Sequence, residues 1–198
     1  MTAKLIAFEG GEGTGKSTQA RLLAERIDAH LTFEPGDTAV GARIRELVLD
    51  PSNTEIHART EALLMAADRA QHVAEIISPA MAAGRSVVTD RYIGSSLVYQ
   101  GRGRRLGVDA VAALSGFATA GLAADIVVLL EVDAVEANRR LGRELDRLEA
   151  AGDDFHERVR DGFATLAVEL DWLVVDGDGP IDEVHERVWA AVRSHLDV

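Results

Sequence analysis

"FEGGEGTGKSTQARL" runs from Phe8 to Leu22. Gly10 to Ser17 within it satisfies G-x-x-x-x-G-K-[ST]. The glycines let the backbone turn until successive N–H groups point at one anion. "KLIAFE" (Lys4–Glu9) before the loop reads as a buried strand, and Lys16 to Asp28 after it as an amphipathic helix. A chance glycine-rich turn would not come with that strand and that helix. The helix N-terminus adds positive potential, Lys16 reaches the outer phosphates, and the Ser17 hydroxyl can hold magnesium. Gly10, Gly11, Glu12, Gly13, Thr14, Gly15, Lys16, Ser17 and Thr18 are therefore read as a cradle for the phosphates of a nucleotide. Glu12 looks misplaced there, a carboxylate inside an anion site.

Outward from the loop, apolar strands alternate with helices. "HLTFE" (His30–Glu34) is the second strand, stopped by Pro35-Gly36. Arg43 to Leu49 reads as a short helix and Glu55 to Ala83 as a long one. Leu63, Ala67, Ala70, Ala74 and Ile77 form a stripe along the long helix, which is core packing or a homodimer seam. "SVVTD" (Ser86–Asp90), "IVVLLEV" (Ile126–Val132) and "WLVVDG" (Trp172–Gly177) supply three more strands, and Ile181 to His195 a last helix. Asp50–Thr54, Gly101–Gly107 and Leu145–Asp154 are the loop candidates. Continuous apolar strands between helices predict an α/β fold, a parallel sheet covered on both faces. With 198 residues and neither a repeat nor a linker, one domain is expected over 1–198.

Composition removes several function classes. The net charge of −12 argues against general binding to nucleic-acid backbones. The longest apolar run, Ile126 to Leu130, is far too short to span a bilayer. The N-terminus turns polar within nine residues, so no secretory signal is expected and a cytoplasmic location is. There is no cysteine, hence no disulfide or thiolate metal site. Six scattered histidines never complete H-E-x-x-H. Of 21 basic residues only Lys4 and Lys16 are lysines, so no Asn-Lys-x-Asp base reader of a GTPase follows the loop. Small phosphotransferases remain.

A second constellation narrows the choice. "VVTDRYIGSSLVYQG" (Val87–Gly101) ends a strand in Asp90 and continues with Arg91, Tyr92, Ser95, Ser96, Tyr99 and Gln100. Ligands of open parallel sheets bind at the carboxyl ends of the strands. There Asp90 can hold a metal-bound water and Arg91 can clamp a phosphate bidentately. Taken alone, Asp-Arg is as readily a strand-end ion pair.

"FEGGEGTGKST", "EPGDT" (Glu34–Thr38), "DRYIGSSLVYQG" and "ELDRLE" (Glu144–Glu149) together, in order and spacing, resemble the thymidylate kinase family. The likeness covers roughly residues 4 to 177. It implies a P-loop nucleoside-monophosphate kinase core with a five-stranded parallel sheet, usually a homodimer. The implied reaction is magnesium-dependent transfer of the γ-phosphoryl group of ATP to dTMP. The resemblance gives Glu12 a purpose, because the family's loop carboxylate bonds the 3′-hydroxyl of the acceptor. By position Arg45 would hold the dTMP phosphate and Arg69 the thymine carbonyl. Ser96 would read the base edge, Tyr99 crowd the 2′ position and Gln100 lie nearby. Ser17 and Asp90 would serve the metal, and Lys16 and Arg91 the transferring phosphoryl group.

"RRLGRELDRLEAAGDDFHERVR" (Arg139–Arg160) is either a charged surface helix or a mobile lid whose arginine closes on the phosphoryl group. In the family, members with glycine at the Gly13 position carry that arginine in the lid. The usual Arg-Gly-Glu-Leu-Asp-Arg reads Gly142-Arg143-Glu144-Leu145-Asp146-Arg147 here, so Arg143 and Arg147 both qualify, Arg143 being favoured. Met65 replaces the phenylalanine that stacks on thymine, and Phe33 replaces an arginine before Glu-Pro-Gly. A kinase for UMP/CMP or a deoxynucleoside is the nearest alternative, and a non-catalytic nucleotide-binding protein a more distant one.

Overall fold

A computed structural model of the chain describes residues 2–141, 146–148 and 150–196. Five parallel strands form one sheet: β1 (Leu5–Glu9), β2 (His30–Phe33), β3 (Val87–Asp90), β4 (Ile126–Glu131) and β5 (Leu173–Asp176). Their order is β2-β3-β1-β4-β5. β1 lies at the centre with Phe8 beside Asp90 on one side and Val128 on the other. The carboxyl ends of β1 and β3 are thereby adjacent, which brings the glycine loop and Asp90-Arg91 together.

Alternation along the strands explains the two covered faces, because successive side chains point to opposite sides. Ile6 and Phe8 of β1 pack with Val128 and Leu130 of β4 against α1 (Lys16–Arg26), where Ala20 and Leu23 are buried. Leu5 and Ala7 pack on the other face with Val73 and Ile77. A third cluster gathers Leu129, Tyr99, Phe155 and Phe163.

The helices depart from expectation in instructive places. α2 spans Ala39–Leu49, starting before Arg43 because the Thr38 side chain accepts the Gly41 N–H at 2.9 Å and caps it. The long helix of residues 55–83 is divided: α3 (Ala58–His72), a π-helical turn (Val73–Ile77) and α4 (Ser78–Ala82). Of its apolar stripe only Ile77 reaches the core, and Ala70 is half-buried. Leu63, Ala67 and Ala74 are exposed, whereas Ala62, Ala66, Val73 and Ile77 face inward.

Residues 101–103, expected in a loop, belong to helix. α5 (Ile93–Ser96) continues into a π-helical segment (Leu97–Gly103), and α6 (Val108–Ala118) follows. α7 (Ala134–Leu141), α8 (Asp153–Glu169), α9 (Ile181–Val192) and a 3-10 turn (Arg193–His195) complete the described elements. Among the described residues no helix is long and apolar enough to cross a membrane.

Candidate active site

The glycine loop leaves β1 at Gly10 and enters α1 at Gly15, whose φ of 90° puts the helix N-cap in the left-handed region that glycine tolerates. Gly10 could carry no side chain, since a Cβ would stand 2.6 Å from the Leu130 carbonyl oxygen. At Gly13 a Cβ would collide with the backbone of Ala137, so α7 lies directly on the loop. The Lys16 ammonium donates to the Gly11 carbonyl at 2.6 Å, and Thr14 Oγ1 to the same oxygen at 3.0 Å. Lys16 is 5% exposed. Its pKa is lowered, first by burial and then by Arg91, while Glu12, Asp90 and Glu9 work the other way.

Across the loop, Ser17 Oγ donates to Asp90 Oδ2 at 2.5 Å. Asp90 Oδ1 is buried and accepts no hydrogen bond from the described residues. Arg91 has φ +73°, in the left-handed region that a non-glycine residue occupies only when its surroundings hold it there. Its Nη1 donates to the Gly10 carbonyl at 3.1 Å and Ser95 Oγ at 2.9 Å, and its Nη2 to Glu12 Oε1. The guanidinium also sits over the Tyr99 ring, 5.2 Å from its centroid. Glu12 therefore pairs with Arg91, which offsets its charge beside the anion cradle.

These groups open on a cavity of about 1320 Å³. Single-ligand pockets usually hold roughly 300–1,000 Å³, so the space suits two nucleotides. Its wall includes Glu12, Lys16, Ser17, Asp90 and Arg91, and also Arg45, Met65, Arg69, Ser96, Tyr99 and Gln100. Sequence-predicted residues from remote positions thus converge on one space. Gly11 and Thr14 also line it, and Gly10, Gly13, Gly15 and Thr18 do not.

Several other residues of the wall are held by polar partners. Arg69 donates to Glu34 Oε2 at 2.8 Å and to the Tyr92 carbonyl at 3.0 Å. Glu34 Oε1 lies 2.9 Å from His72 Nδ1. Arg45 donates to the Pro35 carbonyl at 2.7 Å and lies over Phe33, 5.8 Å from its centroid. Tyr99 meets Phe163 edge-on at 5.9 Å, and its hydroxyl is pushed up to about 12, chiefly by burial, with Arg91 opposing. Gln100 Nε2 donates to Glu61 at 3.0 Å.

The lid arginines divide. Arg143 lies outside the described residues. Arg147 is pinned, with Nε on the Val48 carbonyl and Nη2 on Glu61 Oε2, both at 2.7 Å. Asp146 and Leu148 line the cavity, and Arg147 does not. Sequence reasoning passed over Asp153, His156 and Arg160 of α8, which also face the cavity. Their i, i+3, i+7 spacing marks one helix face and was the available signal.

A family model described as thymidylate kinase matches residues 8–188. The chain belongs to the thymidylate kinase family. A thymidylate kinase of Cutibacterium acnes is 51% identical over 204 residues, covering 100% of both chains. One from Bifidobacterium longum is 43% identical, covering 99% of this chain and 98% of its own. The crystal structure of thymidylate kinase from Ehrlichia chaffeensis superposes with a TM-score of 0.80 at 27% identity, over 97% of this chain and 100% of that one. Thymidylate kinases share the P-loop NTPase fold, and the five-stranded parallel sheet here is that fold.

Proposed function

We propose that the chain transfers the γ-phosphoryl group of ATP to dTMP, giving ADP and dTDP. The carrying observation is the one cavity that holds Lys16, Ser17 and Asp90 together with Met65, Ser96 and Tyr99. Lys16 and Arg91 neutralise the transferring group, and a dTMP phosphate oxygen attacks in line. That oxygen carries no proton at neutral pH, so no general base is needed.

The unpartnered buried Asp90 Oδ1 and the neighbouring Ser17 hydroxyl fit a magnesium ion carried in with ATP. Among the described residues no three His, Asp or Glu side chains converge as a cation site. That suits magnesium, which keeps several waters and takes one or two protein ligands plus phosphates. Held by Ser17 and Asp90, the ion would supply charge neutralisation to the phosphates.

Glu12 has lone pairs for both Arg91 and a sugar hydroxyl, which supports its assignment to the 3′-hydroxyl. Arg45 is assigned to the acceptor phosphate, Arg69 and Ser96 to the base, and Tyr99 and Gln100 to the sugar side. With Arg147 engaged by Glu61, Arg143 is the arginine proposed to reach the phosphates. We further assign the chain to a single kinase domain with its lid at about 139–160, acting as a cytoplasmic homodimer.

The test is ADP release with ATP-Mg and a panel of dTMP, dUMP, UMP, CMP, GMP and thymidine. The expected outcome is a clear preference for dTMP. Equal rates on UMP and dTMP would overturn the acceptor assignment.

A further inference from the structure

Glu9 ends β1, and it is the one charged residue of an otherwise apolar, fully buried strand. Both its oxygens are engaged. Oε1 accepts the Tyr92 N–H at 3.1 Å, and Oε2 accepts the Ser95 hydroxyl at 2.6 Å. Ser95 Oγ in turn accepts Arg91 Nη1 at 2.9 Å. A side chain on Gly94 would stand 2.7 Å from Glu9 Oε1, so the start of α5 is kept bare where the carboxylate enters.

We propose that Glu9 is a positioning residue for Arg91, acting through Ser95 and the Tyr92 backbone; this rests on Arg91 meeting the transferring phosphoryl group. The argument is about proton direction. Ser95 has a single hydroxyl proton. A carboxylate that can only accept draws that proton to itself, which leaves a Ser95 lone pair facing Arg91. The Tyr92 bond fixes the residue just after Arg91 and so helps hold its left-handed backbone. The Arg91 N–H donates to the Phe8 carbonyl at 2.9 Å, and Thr89 Oγ1 donates to the Arg91 carbonyl at 2.8 Å. Burial raises the pKa of Glu9, while Ser95, Arg91 and Tyr92 oppose that rise.

An amide at position 9 cannot meet both demands. With its carbonyl toward Tyr92, its NH₂ faces Ser95 and the serine proton must turn elsewhere. Flipped, it sets donor against donor at Tyr92.

The experiment compares Glu9→Gln, Ser95→Ala and the double variant for kcat, KM and thermal midpoint. Each single variant should lose kcat at least about tenfold, with KM for ATP and dTMP moving much less. The double variant should lose about as much as the worse single one, because residues acting in one chain are not additive. A kcat for Glu9→Gln within about twofold of wild type, or losses that multiply, would overturn the inference. If Glu9→Gln does not fold, Ser95→Ala, which removes one hydroxyl, decides: full kcat there overturns it. A wild-type chain that transfers no phosphoryl group fails the phosphotransfer reading itself. An active wild type with unaffected variants fails only the role given to Glu9.

Discussion

Lys16 donates to the Gly11 carbonyl, and burial lowers its pKa while Glu12, Asp90 and Glu9 hold its charge. Lys16→Ala should therefore lower kcat by about 10²–10³-fold or more while leaving the fold intact. A variant that keeps a tenth of wild-type kcat would remove the loop from catalysis. Asp68 supplies a second residue-scale test. It is buried, accepts the Gly36 N–H at 3.0 Å, and is pushed up to about 6 by burial and then by Glu34. Between about pH 4 and pH 6 the folded chain holds a proton there that the unfolded chain releases. Stability from this group is thus present at low pH and declines as pH rises through that window, by roughly 1–3 kcal/mol. Asp68→Asn keeps an acceptor for Gly36 and should flatten the decline. Thermal midpoints of the two proteins that run parallel from pH 4 to 7 would exclude this. Lys16 was legible because its neighbours in sequence are its neighbours in space. Asp68 and Glu9 were not, because the groups that give them meaning come from segments 32 to 86 residues away.

At the scale of elements, strands and loop motifs were read well and helix irregularities poorly. β1 to β5 fall where apolar runs placed them, since such runs are what a doubly covered sheet demands. The π-helical segment Leu97–Gly103 has no sequence period of its own, yet it carries Tyr99 and Gln100 to the cavity wall. α7 explains Gly13 physically: its Ala137 backbone occupies the space that a side chain at position 13 would need. Facing elements α3 and β2 set the next prediction, because Met65 and Phe33 both line the cavity. A ring stacked on a base is worth about 1–3 kcal/mol, and methionine keeps part of that contact. If Met65 lies against the thymine, Met65→Phe should tighten dTMP binding by a few-fold up to about tenfold, leaving ATP affinity unchanged. If Phe33 already supplies the ring, Phe33→Ala should weaken dTMP and Met65→Phe should gain nothing. Titration calorimetry on the two variants separates the cases. Less than about a twofold change in both would move the base elsewhere.

For the whole molecule, the informative limit of pattern reading is the stripe that starts on α3 and ends at the buried Ile77. A helical period of apolar residues says that one face avoids water; it does not say whether the cover is this chain or another. The structure turns Leu63, 58% exposed, outward with Ala67 and Ala74. α3 packs on α6, where Phe117 is 89% exposed. Small residues flanking a large apolar one permit close approach of a second helix, and the stripe's period suits a helix partner. We therefore expect a dimer in solution that uses the α3 face. Leu63→Glu would place a carboxylate in a desolvated interface, where an unpaired charge is strongly unfavourable. Sedimentation equilibrium should show the wild type as a dimer and Leu63→Glu shifted to monomer, with dimer dissociation at least about tenfold easier. Phe117→Ser tests whether α6 shares the interface, because an exposed ring that meets only water can be removed without changing the association. A monomeric wild type, or a Leu63→Glu variant that still sediments as the dimer, would show that the stripe faces solvent in the working enzyme. In that case α3 serves the molecule only through its inner face, where Ala62, Ala66 and Arg69 are buried.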